Sequence, residues 1–482
     1  MKIPFLVLLL VLPPIASADY FVTPDKTDSR GLWEGWGCSI SWWGKGIGGS
    51  AYQDLHADLF FTTKTVPYLD RQLPGLGMNI VRYNIGGGGS GDSQDEQLSP
   101  KMVWFKDIDG FWVNPDSRDP NSKSWDWTRD ANQRAMLKAA VDRGVNQVEF
   151  FSNAPMWWMT DSQSSAGGKL LDARKSDFAY YLAAVVRQAR EKWGVPVHYI
   201  SPFNEPSAYW WTFAKNQEGC IIPKEQQKPI INELTRELVK QRVPDTKITA
   251  SDENSMDQAI KTWKFFLSGN TSALVAKVNV HGYIGIKPWR DNKVRADLCR
   301  TLAGKRLWMS EFCDGEVSGI GLAQTILEDM SHLKPTAWIF WQPVEPDWGW
   351  CFVNANFAAG PDMPDRGKPI RIHNKYFVFA QFTRFLTPGS QVIGSSDNNS
   401  IVAYNRSRRE LTFITANFAA PQAITYDLAA FNCRQPVAEV TRTSADGKAR
   451  FQQITVPIVD RKFTIQATPN TVYSTVIKDV DC

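Results

Sequence analysis

Histidine is scarce in this sequence, with five in 482 residues at positions 56, 198, 281, 332 and 373. Their spacing matches no metal-ligand pattern, no HExxH is present, and no two cysteines form a CxxC, so a zinc site has no support. The absence of GxSxG removes a serine-hydrolase elbow. Charge of one sign is missing as well: 54 Lys and Arg stand against 50 Asp and Glu, a net charge of +4. The densest basic cluster, NRSRRE at 405–410, reads as a solvated face, so no nucleic-acid partner is expected. Beyond the first residues no stretch offers about eighteen uninterrupted apolar positions, which argues against a membrane span. What remains is a chain expected to work without metal or other cofactor.

The opening MKIPFLVLLLVLPPIASA has one Lys, an apolar run and a small-residue ending. It reads as a signal peptide over 1–18, cleaved before Asp19, and predicts a secreted, extracellular protein. Seven cysteines (38, 220, 299, 313, 351, 433 and 482) then suggest some disulfides, with at least one thiol left over. Cys433 with Cys482 is the preferred pair, because it would tie down the C-terminal tail. Sequons at Asn270, Asn398 and Asn405 predict glycosylated surface loops. Tryptophan is abundant, at 20 of 482 residues, and the flat indole suits the C–H face of a sugar ring.

Short apolar runs alternate with helical patterns. Eight runs are WGCSISWW near 36, NIVRYNI at 79, QVEFFSNAP at 147, VHYISPFNEP at 197, KITASD at 247, AKVNVHGY at 276, RLWMSEF at 306 and AWIFWQPV at 337. Between them lie segments of helical period such as 128–144, 175–194 and 222–243. Eight strand-helix units predict a (β/α)8 TIM barrel over 19–387. After about residue 387, runs such as NSIVAYN, ELTFITAN, QAITYDL and TVYSTVIKD follow one another without helices. They predict a smaller β-sandwich side domain over 388–482, joined by the first residues after the leader.

In such a barrel, polar groups at the C-terminal strand ends face one pocket. Those ends supply Arg82 and Asn84, Asn153 and Trp157, Asn204 and Glu205, His281 and Tyr283, Glu311, and Trp341, with Trp42 just after the first strand. Glu205 and Glu311 follow apolar runs, where a buried charge needs a reason. Two carboxyl groups about 5–5.5 Å apart have the spacing of retaining glycoside hydrolysis, one donating a proton and the other attacking the sugar. The run GGGGSG at 86–91 fits GxGxxG, but acids and a proline follow in place of a helix, so it reads as a flexible loop over the cleft. SDENSMD at 251–257 reads as a loop and His198 as a satisfied core residue.

SPFNEPS at 201–207 and WMSEFCDG at 308–315, with GWGCSISWW at 35–43 and FFSNAPMWWMTDS at 150–162, resemble glycoside hydrolase family 30. Within it the first-strand and Trp-rich motifs are most like the fungal endo-β-1,6-galactanases. The resemblance implies Glu205 as acid/base and Glu311 as nucleophile. Asn204 would contact the 2-hydroxyl, Arg82 would keep the nucleophile ionised, and His281 with Tyr283 would line the pocket. The implied substrate is the β-1,6-galactosyl side chains of arabinogalactan, cleaved by a monomer. The same chemistry on β-1,6-glucan, xylan or glucosylceramide is the rival, and a non-catalytic sugar-binding barrel the alternative from another class.

Overall fold

The computed structural model describes residues 20–89, 94–284, 291–347 and 349–481. The predicted leader, Ser90 and Gly91 of the glycine run, Trp348 and Cys482 lie outside these residues. Eight parallel strands close into a barrel: β1 Gly35–Ser39, β2 Ile80–Asn84, β3 Gln147–Phe151, β4 Tyr199–Ser201, β5 Lys247–Ser255, β6 Lys277–Ile284, β7 Leu307–Phe312 and β8 Ala337–Phe340. Each pairs with its neighbours in chain order, and β8 pairs back onto β1, Ala337 opposite Gly35 and Phe340 opposite Cys38.

Strands buried on both faces explain the near-continuous apolar runs of the sequence. All six residues of β7 are buried. The period of two then decides which polar side chains share the barrel interior. Lys277, Asn279 and His281 alternate along β6, and Arg82 and Asn84 along β2. Outside run amphipathic helices such as Lys175–Glu191, which turns Phe178, Leu182 and Val185 inward at helical spacing.

A seven-stranded antiparallel sheet begins with Pro24–Leu32, which pairs with Gln391–Ser395, and runs on through Ser400–Asn405, Glu410–Asn417 and Thr471–Ile477. A three-stranded sheet of Tyr20–Val22, Gln422–Asp427 and Lys462–Ala467 packs over it. Phe413 of the larger sheet meets Tyr426 of the smaller at 5.3 Å, and Tyr426 stacks on Phe463 at 4.5 Å. The helix Asn374–Thr383 ties this sandwich to the barrel: Gln381 donates to Thr443 and accepts from Ser474.

Several expectations need correction. SDENSMD is no loop: its first five residues end β5 and Met256 opens the helix Met256–Leu267, capped by the Ser255 hydroxyl. The glycines at 86–89 are not loose either. A Cβ on Gly86 would stand 2.1 Å from the Ile108 carbonyl oxygen, and one on Gly87 2.1 Å from that of Pro155, so glycine is there for close backbone packing. Cys38, Cys220, Cys299 and Cys313 form no disulfide among the described residues, and the pair expected between Cys433 and Cys482 involves a residue outside them. His198 is only half-buried, its Nδ1 accepting from the Val148 amide. Asn270 and Asn398 are exposed, but Asn405 is buried with its amide nitrogen donating to Ser390, a poor posture for a glycan acceptor.

Candidate active site

The carboxyl ends of the barrel strands open into a cavity of about 410 Å³. Of the residues predicted to face it, Asn153, Asn204, Glu205, Tyr283, Glu311, Trp42 and Trp341 line it. Arg82, Asn84 and His281 do not: each is fully buried beneath it. Asn84 is consumed in structure, donating to Glu218 and accepting from the Asn153 amide. Trp157 packs beside Gly89, its amide donating to the Gly87 carbonyl. Trp43 and Trp158, two of the indoles near strand ends, belong to the core.

Glu205 leaves β4 with φ +48°, a left-handed conformation uncommon for a residue with a Cβ. Three bonds hold it there, one of them from the Ala208 amide to its carbonyl at 3.0 Å. Its own amide donates to the Asp252 carbonyl at 2.8 Å, and the Trp211 indole donates to its carbonyl at 3.0 Å. At the carboxyl group, Asn254 donates to Oε1, and His281 Nδ1 lies 3.2 Å from the same oxygen. No hydrogen bond from the described residues reaches Oε2.

Glu311, on β7, is ringed by donors. The Tyr283 hydroxyl donates to Oε1 at 3.0 Å, Arg82 Nη1 lies 3.4 Å from Oε2, and His281 Nδ1 is 3.6 Å from Oε1. Carboxyl oxygens of Glu205 and Glu311 and a ring nitrogen of His281 all lie within 4.8 Å of one another.

Beneath the pair runs a buried ionic network. Arg82 donates to Glu149 and to Asp252, each at 2.9 Å, and to the Ser310 carbonyl at 3.0 Å. Lys277 donates to Glu149, and Asp252 accepts from Ser310 and Asn279 and sits 3.2 Å from His281 Nε2. Burial opposes the Asp252 charge, yet Arg82 and His281 hold its carboxyl well below the usual range. Burial likewise opposes protonation of His281, but Glu311, Asp252 and Glu205 overcome it and lift the imidazole to about 10. Burial pushes Glu311 up to about 7 against the pull of His281 and Arg82.

The remaining wall joins two predicted indoles to groups that sequence reasoning missed. Trp42 and Trp341 meet edge to face at 5.1 Å, and the Lys106 ammonium lies 4.0 Å from the Trp42 ring centre. Lys106, Gln217, Asn254, Glu345 and Trp350 also line the cavity. Lys106, Gln217, Glu345 and Trp350 come from segments beyond the barrel strands that carry no periodic signal. Asp252 and Asn254 did carry one, since the apolar KITAS runs straight into them. Glu149 stands among the apolar residues of QVEFF, where a charge needs a partner.

Residues 22–313 match the sequence pattern of O-glycosyl hydrolase family 30. The chain is 39% identical over 425 residues to an endo-beta-1,6-galactanase of Hypocrea rufa, covering 86% of this chain and 84% of that protein. It is 23% identical to an exo-beta-1,6-galactobiohydrolase of Bifidobacterium longum subsp. longum, over 89% of this chain but 36% of that much longer protein. In fold it resembles the catalytic domain of the GH30 xylanase C from Talaromyces cellulolyticus, with TM-score 0.72, 16% identity, and coverage of 95% of this chain and 100% of that one. The matched pattern, the long alignment to the Hypocrea rufa enzyme and the barrel together place the chain in glycoside hydrolase family 30, and it is a glycoside hydrolase.

Proposed function

We propose that this protein is a secreted, retaining endo-glycosidase that cleaves β-1,6-galactosyl linkages in arabinogalactan side chains. The observation that carries the mechanism is the proximity of Glu205 and Glu311, whose oxygens approach within 4.8 Å. Double displacement uses carboxyl groups about 5–5.5 Å apart, whereas inversion leaves room for a water at about 6.5–9.5 Å. The linkage and the sugar rest on the likeness to the Hypocrea rufa enzyme. The N-terminal apolar run and the exposed sequons at Asn270 and Asn398 support secretion.

The network supports one proton on the pair. Three cations, Arg82, Lys277 and His281, face four carboxyl groups, Glu149, Asp252, Glu205 and Glu311, so one protonated carboxyl neutralises the set. Burial alone would put that proton on Glu311. The donors decide otherwise: Glu311 receives Tyr283 and Arg82 and so acts as acceptor, while Glu205 keeps Oε2 free to carry the proton into the cavity. Glu311 then attacks the anomeric carbon as Glu205 protonates the departing oxygen. Glu205, now ionised, draws a proton from water, which hydrolyses the glycosyl-Glu311 ester.

Azide rescue tests the roles. With a 4-nitrophenyl β-1,6-galactobioside, Glu205→Ala should return activity as the β-glycosyl azide and Glu311→Ala as the α-anomer. The same anomer from both, or undiminished hydrolysis by either variant, overturns the assignment. Galactose oligomers released from de-arabinosylated arabinogalactan support the sugar; glucose oligomers from β-1,6-glucan refute it.

A further inference from the structure

The end of β5 does not run as a regular strand. From Ser251 to Glu253 it spends two residues where β6 spends one, Asn279 to Val280, and the extra residue, Asp252, takes the left-handed φ of +53°. Such a bulge turns side chains out of strict alternation. Here it brings three consecutive residues against the segment that carries Glu205. The Asp252 carbonyl accepts from the Glu205 amide at 2.8 Å, the buried Glu253 carboxyl group accepts from the Ser207 hydroxyl at 2.8 Å, and Asn254 donates to Glu205 Oε1. Glu253 is fixed in turn by the Thr262 hydroxyl of the helix that follows, at 2.7 Å.

Asn254 lines the cavity, yet its own amide oxygen is buried and accepts nothing among the described residues. A buried acceptor without a donor is costly and calls for an explanation. The bond this side chain does make is the one to Glu205. That bond matters because the two reacting carboxyl groups otherwise draw on one donor: His281 Nδ1 lies 3.2 Å from Glu205 Oε1 and 3.6 Å from Glu311 Oε1, and a single N–H does not serve both well. Tyr283, donating to Glu311 at 3.0 Å, and Asn254, donating to Glu205, keep the two apart.

We propose that Asn254 is a positioning residue for the acid/base. Its amide anchors Glu205 Oε1 to the end of β5, so that Oε2 presents the proton to the departing oxygen and the carboxyl group does not swing toward Glu311. An amide does not titrate, so it holds Oε1 both when Glu205 acts as acid and when it acts as base. This role rests on the reading of Glu205 as proton donor.

The experiment compares wild type, Asn254→Leu and Glu205→Ala on β-1,6-galactotriose, whose leaving sugar needs a proton, and on 2,4-dinitrophenyl β-1,6-galactobioside, whose leaving phenolate does not. In both cases kcat/KM reads the bond-breaking step. Asn254→Leu should lower it about 10- to 100-fold on the trisaccharide, a part of what general acid catalysis supplies, and change it little on the dinitrophenyl glycoside. Asn254→Gln, which keeps an amide donor, should recover part of the loss, and Asn254→Ala makes the same comparison if leucine prevents folding. Equal losses on the two substrates mark a structural role and overturn the proposal, as does wild-type kcat/KM on both. Glu205→Ala should show the same selectivity to a greater degree; if it shows none, the acid role of Glu205 falls and the role of Asn254 with it. The sugar is decided apart, since the matched gluco substrates carry the same comparison should wild type cleave only those.

Discussion

Arg82 and Asp252 meet at 2.9 Å inside the barrel, and solvent reaches neither side chain. Two charges out of water are tolerable only with complete partnering, and Arg82 has it from Glu149, Asp252 and the Ser310 carbonyl. Asp252→Asn removes one charge at constant volume and leaves Arg82 and His281 short of a counterion. The expected loss is about 3–5 kcal/mol of stability, the cost of breaking a buried pair from one side. Denaturant unfolding measures it, and a change below the error of the extrapolation would mean that Glu149 and Glu311 suffice.

His281 gives the fold a pH dependence of definite sign. Its folded-state value, about 10, lies above the ordinary 6.5, because Glu311, Asp252 and Glu205 outweigh burial. The stability this imidazolium contributes is therefore complete below pH 6.5 and is lost as pH rises toward 10. Lys277 runs the other way: burial lowers it to about 8, so its contribution grows as pH passes from 8 toward its ordinary range. The two overlap in the whole-protein curve, and the difference between wild type and His281→Gln isolates the histidine. That difference in Tm should shrink steadily from pH 6.5 to 10; a constant difference would show that the residue is not charged in the folded state.

The barrel was legible because each strand is a short apolar run and each helix carries its own period. The reacting pair was legible for a related reason: Glu205 and Glu311 end apolar runs, where a charge stands out. Asp252 was missed through its company, since Asn and Ser around it mimic a turn, although KITAS before it continues the strand. Arg82 and His281 were recognised as important but placed in contact with substrate, whereas they lie one layer down, because alternation along a strand gives the face and not the depth. Lys106 and Trp350 come from irregular segments and Glu345 from a two-residue strand, all placed by packing among distant parts of the chain, and local sequence holds no trace of that.

Gly219 controls the posture of Glu205 through one intermediate. A Cβ there would fall 2.2 Å from the Trp211 ring, which is buried and cannot swing aside like the tip of a flexible side chain. Trp211 in turn donates to the Glu205 carbonyl at 3.0 Å, one of three bonds that keep this residue at φ +48°. Gly219→Ala should displace the indole and, with it, the carboxyl group that protonates the leaving oxygen. A misplacement near 1 Å costs up to about 100-fold in rate. The expected outcome is a fall in kcat/KM of about 10- to 100-fold with the KM nearly unchanged. Trp211→Phe, which removes the indole donor and keeps most of the ring, should reproduce part of the loss. If Gly219→Ala lowers Tm but leaves kcat at the wild-type value, Trp211 serves packing alone and the backbone of Glu205 holds its conformation without it.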